Sequence, residues 1–461
     1  MILADSLPGF KSFLSVATLP VHFVGYITAF VAAFLLHRGT MSATAAATVF
    51  RRQRCHVATL TRFLMEIGHS RDVLLCVRSA TLLLESELSA PGEFLFLLDA
   101  TKRHSQGRYF ENSYSCGNTK RKPRQERSGK GKRKQYKNHP SRCHAFICGL
   151  LLTPGGLRLP YFLPYYTREH CQAIDQPFRT DAELAAQMIR ALELPAEAKV
   201  VVVGDTAYDA SVIRAACWER DFLWVVPINP ERVLAGKKNR RKVRALLEDL
   251  PARAFEPVRL SLEEGPQRRQ RRLSASRGGP GKHPKRTYWV HRRIAEVHSV
   301  GEVVLLFSKK HQAKPGEAAK ADKILMSNAC GRSTAELLTW YDLRWQIELF
   351  FKECKSVLGL DHYRVQKFSQ AEGWVELCLL TFCYLEWYRA KQLLRTDLGK
   401  EQRLLWQRAR TWDSGQLLQQ HLEQEEVELM CGMMQTAAGR QELAKTLRAA
   451  CSATSSTRKA A

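Results

Sequence analysis

Two short apolar runs in this chain each lead into an aspartate. Glu93–Leu98 (EFLFLL) runs into Asp99, and Lys199–Val203 (KVVVV) runs through Gly204 into Asp205. Continuous apolar runs of this length, bounded by turn residues, read as strands buried on both faces. Between them, strands are expected at Cys143–Leu152 and Leu157–Tyr166, joined by the hairpin signal Pro154-Gly155-Gly156, and a helix over Thr180–Leu192. After Asp205 come a helix over Asp209–Arg220 and a strand over Phe222–Pro227. Strands interleaved with helices predict an α/β fold. Each aspartate then stands at the C-terminal end of a strand. Taken singly, each also suits an ordinary turn or cap.

A third carboxylate lies in the stretch Tyr341–Lys355, YDLRWQIELFFKECK, which follows a capping box at Ser333-Thr334-Ala335-Glu336. At about 100° per residue, one helix over this stretch puts Tyr341, Arg344, Glu348, Lys352 and Lys355 on one stripe. An acid among three cations and an aromatic ring suits gripping a metal ion and a phosphodiester together. The simpler alternative is an amphipathic helix with a Glu348–Lys352 pair. Asp342 and Glu353 fall off the stripe, and Asp209 is placed to cap the helix after it. Two acids at strand ends and one from a helix across that edge can converge. Three such acids do not stay ionised together without a cation, so Asp99, Asp205 and Glu348 form a natural site for two divalent metals.

Charge points to the partner. The 461 residues carry 71 Lys+Arg against 45 Asp+Glu, a formal net charge of +26, which suits a polyanion, nucleic acid before membrane. Ten of the 18 residues in Lys120–Lys137 are Lys or Arg, and segment 265–293 holds ten more and no acid. The 13 cysteines are scattered, odd in number and without a CxxC pair, a pattern that suits a reducing cytoplasm. Cys143, His144 and Cys148 lie in an apolar run and read as buried strand residues, not zinc ligands. Val21–Leu36 has 16 residues, short for a membrane span of about 20, and reads as a buried helix.

The organisation expected is a helical N-terminal DNA-binding domain over 1–88, a catalytic domain over 90–390 and a helical tail over 391–461. Val21–Leu36, the turn at His37-Arg38-Gly39-Thr40, an Ala-rich helix from Ser42 and the basic exit Arg51–His56 are compatible with a helix-turn-helix-like reader. Residues 228–328 read as an insertion with basic loops and strands at Val303–Phe307 and Ile324–Ser327. A long apolar helix is expected over Ala371–Arg389. Residues 396–450 read as amphipathic helices and Ser452–Ala461 as a disordered end.

The spacing Tyr341, Arg344, Glu348, Lys355, with Trp345 and Ile347 beside it and Leu358-Gly359-Leu360 after it, matches the YREK signature. With Asp99 after its strand and Gly204-Asp205-Thr206-Ala207-Tyr208 after the next, the chain resembles DDE transposases of bacterial insertion sequences over roughly residues 90–390. The resemblance implies an RNase H-like catalytic core with a mostly β insertion at 228–328. It implies Asp99, Asp205 and Glu348 as catalytic residues and ligands of two Mg²⁺ ions, with Mn²⁺ able to substitute. Tyr341, Arg344 and Lys355 would contact DNA, and Trp289 is the candidate to stack on a flipped base. The partners implied are double-stranded DNA, as terminal inverted repeats and target, and a second copy in a homodimer on DNA. No membrane is involved, and the location implied is the bacterial cytoplasm at the nucleoid. A metal-dependent nuclease of the same fold without strand transfer, or an inactive DNA-binding relic, are the alternatives.

Overall fold

The computed structural model describes residues 9–36, 57–69, 72–88, 92–105, 111–116, 141–235, 241–248, 254–260, 286–312 and 321–397, with a few isolated positions besides. The turn and second helix expected at 37–56, the Lys-rich segment 120–137, most of 265–293 and nearly all of 398–461 lie outside the described residues.

The architecture is mixed α/β. The strands are β1 (Phe94–Ser105), β2 (Tyr114–Cys116), β3 (Ser141–Leu152), β4 (Arg158–Pro164), β5 (Val200–Val203), β6 (Leu223–Pro227), β7 (Glu256–Leu260), β8 (Arg286–Val297), β9 (Gly301–Lys309) and β10 (Lys323–Ser327). They form one sheet in the order β2-β3-β1-β5-β6-β10-β9-β8-β7, with β4 also paired to β3. β1, β5 and β6 run parallel, and the other pairings are antiparallel. The four consecutive valines of β5 are all buried, as a central parallel strand covered on both faces requires.

The helices are α1 (Phe10–Leu14), α2 (Val21–Leu36), α3 (Val57–His69), α4 (Asp72–Leu88), α5 (Arg168–Ala173), α6 (Asp181–Arg190), α7 (Ser211–Glu219), α8 (Ala245–Glu248), α9 (Thr334–Leu343), α10 (Trp345–Ser356) and α11 (Phe368–Leu394). Strand alternation divides them into two layers. Phe94, Phe96 and Leu98 of β1, with Val200 and Val202 of β5, face a core shared with Leu184 and Ile189 of α6 and Ile213 of α7. Leu95 and Leu97, with Val201 and Val203, face a second core that contains α9, α10 and α11.

That second core continues into the N-terminal helices. Phe30 and Phe34 of α2 meet Trp374 of α11 edge-on, and Leu60, Phe63, Leu64 and Ile67 of α3 belong to the same buried cluster. α3 and α11 cross so closely that a side chain at Gly373 would run into the backbone of Leu64. Ile27 and Ala29–Phe34 are buried, so the apolar run of α2 is spent on this packing. No helix among the described residues is long and apolar enough to cross a membrane.

The strands of the insertion join the same sheet: β10 pairs with β6, and β9, β8 and β7 extend the sheet beyond it. Cys143 is disulfide-bonded, which the cysteine pattern read as suiting a reducing cytoplasm did not indicate, while Cys148 further along β3 is free. His144 between them is buried and bonded through its ring nitrogens to the Tyr363 hydroxyl at 3.0 Å and the Glu111 carbonyl at 2.9 Å. Burial holds its pKa down at about 4, so it is neutral and structural.

Candidate active site at the sheet edge

Asp99 lies within β1 and not at its end. Parallel pairing with β5 stops at Leu97↔Val203, but β1 continues to Ser105 because β3 carries it onward, with Asp99 opposite Cys148. Asp99 therefore stands where β1 outruns its parallel neighbour. Asp205 is likewise two residues past Val203. Adjacent strands lie about 4.8 Å apart, so both aspartates stand at one level along neighbouring strands. Asp99 alternates with Leu98 and so shares the face covered by α10.

Gly204 precedes Asp205 because Tyr208 packs over it; a Cβ there would come within 2.7 Å of the Tyr208 Cβ. Asp205 caps the 3-10 turn Thr206–Tyr208, its Oδ1 accepting from the Ala207 N–H at 2.8 Å. The capping role foreseen for Asp209 is not realised. Ala210 occupies the N-cap of α7 without a side-chain bond, and Asp209 is drawn inward by Arg214 at 2.5 Å and Arg232 at 2.7 Å.

The stripe at Tyr341–Lys355 is carried by two helices, not one. The N–H of Arg344 bonds to the Tyr341 carbonyl, and the N–H of Ile347 to the Arg344 carbonyl, both three residues back. This tightening ends α9 and starts α10. The Ser333–Glu336 capping box forms as the sequence indicates. At the junction, Arg344 reaches two acids: its Nη2 donates to Glu348 Oε1 at 2.6 Å, and its Nη1 lies 3.7 Å from Asp99 Oδ2. Given the fixed fork of a guanidinium, these two carboxylates lie within about 9 Å of each other. Glu348 pairs back to Arg344, not forward to Lys352.

The other signature residues line the same edge. Tyr341 Oη accepts from Lys323 Nζ at 2.8 Å. Lys355 Nζ donates to the Lys102 carbonyl, three residues beyond Asp99, at 3.5 Å. Asp342 faces the Tyr288 hydroxyl at 3.5 Å, and Glu353 is buried against Arg158 at 3.2 Å. Trp289 is not brought to the carboxylates. It is half-buried in the opposite core, whereas its neighbours Tyr288 and Val290 alternate onto the α9 face.

Asp99 is harder to ionise than an ordinary aspartate. Burial raises the Asp99 pKa; the Ala100 N–H works against this, Asp205 raises it further, Arg344 lowers it and Glu348 raises it. For Arg344, burial opposes the charge, but Glu348, Tyr341 and Asp99 outweigh it and raise its pKa. Carboxylates are hard oxygen donors suited to Mg²⁺ or Mn²⁺. Among the described residues, no three His, Cys, Asp or Glu side chains stand close enough to hold an ion as they are. The donor set fits a divalent cation in type and charge, with Arg344 standing as counter-ion between two of the acids.

Sequence reasoning missed Lys323 and the buried partners of Glu353. Lys323 sits alone at a strand start and carries no local signal. Glu386 and Arg389 gave one, as charges inside an otherwise apolar helix.

No curated protein was found to match the chain. Residues 115–384 match the family model of the transposase DDE domain, a span that includes Asp205 and the whole stretch Tyr341–Lys355 and begins after Asp99. That span covers more than half of the sequence, and the chain belongs to the transposase DDE domain family.

Proposed function

We propose that this protein is an insertion-sequence transposase of the YREK group that cleaves DNA at its element's ends and joins them to target DNA. The observation that carries the reading is the grouping of Asp99 and Glu348 around Arg344, with Asp205 close enough to push Asp99 upward. A sheet of three antiparallel strands (β4, β3, β1) continued by two parallel ones (β5, β6), with helices on both faces, supports an RNase H-like core.

Asp99, Asp205 and Glu348 would hold two Mg²⁺ ions, which when bound supply a water nucleophile at neutral pH and neutralise charge on the leaving oxygen. The protein's own contribution is placement. β1 and β5 fix two acids on adjacent strands, and α10 sets the third across them. Tyr341, Arg344 and Lys355 would bind phosphates of the terminal inverted repeat, keeping the cut end in line for attack on target DNA. The remaining cationic surface adds non-specific affinity through counterion release. Two ends brought together call for two copies on DNA.

The test is incubation of the full chain with Mg²⁺ and a plasmid bearing paired element ends. Nicked and joined products support the reading. Nicking without joining reduces it to a nuclease, and binding without nicking to an inactive relic.

A further inference from the structure

We propose that Lys323 is a phosphate-binding residue of the DNA site, held in readiness by Tyr341. This rests on reading the Asp99–Glu348 edge as the seat of DNA. Lys323 opens β10, the last strand of the insertion, with its side chain exposed. Its Nζ donates to Tyr341 Oη at 2.8 Å and lies 4.7 Å from the centre of that ring. Tyr341 is one helical turn before Arg344 and contributes to the field that raises the Arg344 pKa. Lys323, Tyr341, Arg344 and Glu348 thus form one row leading to the acids.

What distinguishes Lys323 is the kind of partner it has. Some exposed cations on this molecule meet acids, as Arg190 meets Glu219 at 2.5 Å and Lys242 meets Glu231 at 2.7 Å; Lys355 meets a backbone carbonyl. Among the described residues Lys323 makes no ion pair. Adjacent Asp322 turns its carboxylate to the Lys310 N–H at 2.8 Å, and Asp342 faces Tyr288. A neutral phenol orients the ammonium without cancelling its charge, and two of its three N–H donors remain for a ligand. A cation whose head is already held gives up less rotamer freedom on binding an anion. Beside a row ending in the three acids, the chemistry that fits is a phosphodiester oxygen. The contact is with the backbone and reads no base.

The experiment follows binding of a short labelled duplex to the full chain between about 50 and 200 mM salt, for wild type, Lys323→Met and Lys323→Arg. Each phosphate contact adds about 0.9 to the log–log salt slope. Lys323→Met should lower the slope by about 0.9, so that wild type loses roughly threefold more affinity than the variant across that range. Lys323→Arg should keep the wild-type slope, and all three should share one thermal midpoint. An unchanged slope in Lys323→Met overturns the inference and leaves the DNA-site reading standing. An equal loss in Lys323→Arg also overturns it, by making Lys323 a prop for Tyr341. If wild type itself binds the duplex without salt dependence, the DNA-site reading falls, and this inference with it.

Discussion

Helix α10 carries two glutamates that face opposite ways and meet different fates. Glu353 points into the protein, where Arg158 lies 3.2 Å from it and 3.1 Å from Glu386, and Arg389 completes the group 2.8 Å from Glu386. Two acids balance two guanidiniums, and none of the four side chains is more than 11% exposed. Glu386 is held ionised: burial alone would raise its pKa, but Arg389 and Arg158 bring it below the ordinary range. Glu348 points to the sheet edge, where Arg344 lies between it and Asp99, with Asp205 close enough to raise the Asp99 pKa. The buried group is closed in charge and fixes α10 against β4 and α11. The edge group sets three acids near one guanidinium, and on the proposed function that surplus of negative charge would seat cations.

The largest expected effect tests the open side. Glu348→Gln removes an anionic ligand with almost no change of shape. Mg²⁺-dependent plasmid nicking should fall on the order of a thousandfold or more, with thermal midpoint and duplex affinity retained. Ordinary nicking by this variant would place Glu348 outside the chemistry.

Next comes the closed side. Arg158→Met strands Glu353 in the interior and leaves Glu386 to Arg389 alone, and leaving a buried acid without its partner costs about 3–5 kcal/mol. Urea unfolding measures this directly. A cost below about 1 kcal/mol would put the pair in the class of exposed ion pairs and end the contrast.

Acid probes another buried group, His144. Its folded pKa of about 4 lies below the ordinary 6.5, so the unfolded chain takes up a proton before the fold does. Stability is therefore complete above pH 6.5 and is lost as pH falls toward 4, by roughly 3 kcal/mol at about 1.4 kcal/mol per unit. His144→Gln should flatten the stability–pH curve in that window. A curve of unchanged slope would show that other groups drive the acid loss.

The smallest effect returns to the edge. The Asp99 pKa is raised in the fold, so ionising Asp99 at neutral pH destabilises the metal-free protein. Asp99→Asn should raise the thermal midpoint slightly at pH 7 with no divalent ion present. The gain should vanish below the ordinary aspartate range, where Asp99 is protonated in both states. A lower midpoint at pH 7 would mean that Arg344 already balances the acids in full.

The strands were legible because burial on both faces leaves a plain signal: EFLFLL and KVVVV could hardly be anything else. The capping box at Ser333 and the hairpin at Pro154–Gly156 were equally local and equally visible. What stayed hidden depends on distant partners. Asp209 looked like a cap until Arg232, from the insertion, was seen to claim it. β1 outran its apolar run because β3 supplied hydrogen bonds to Ser105. The face taken by Trp289 follows from strand parity relative to a core that the segment TYWVHRR does not itself define. The break at Arg344 leaves no mark, since the apolar periodicity runs straight through it.

The register of two strands has a consequence of its own. Pro227, where β6 ends, is the cross-strand partner of Leu325 in β10. The chain thus departs after the second acid and comes back, before the third, to the place it left. However long the excursion between them, the distance from Asp205 to Glu348 does not depend on it. An excursion of another length could leave and return at the same place without moving either acid.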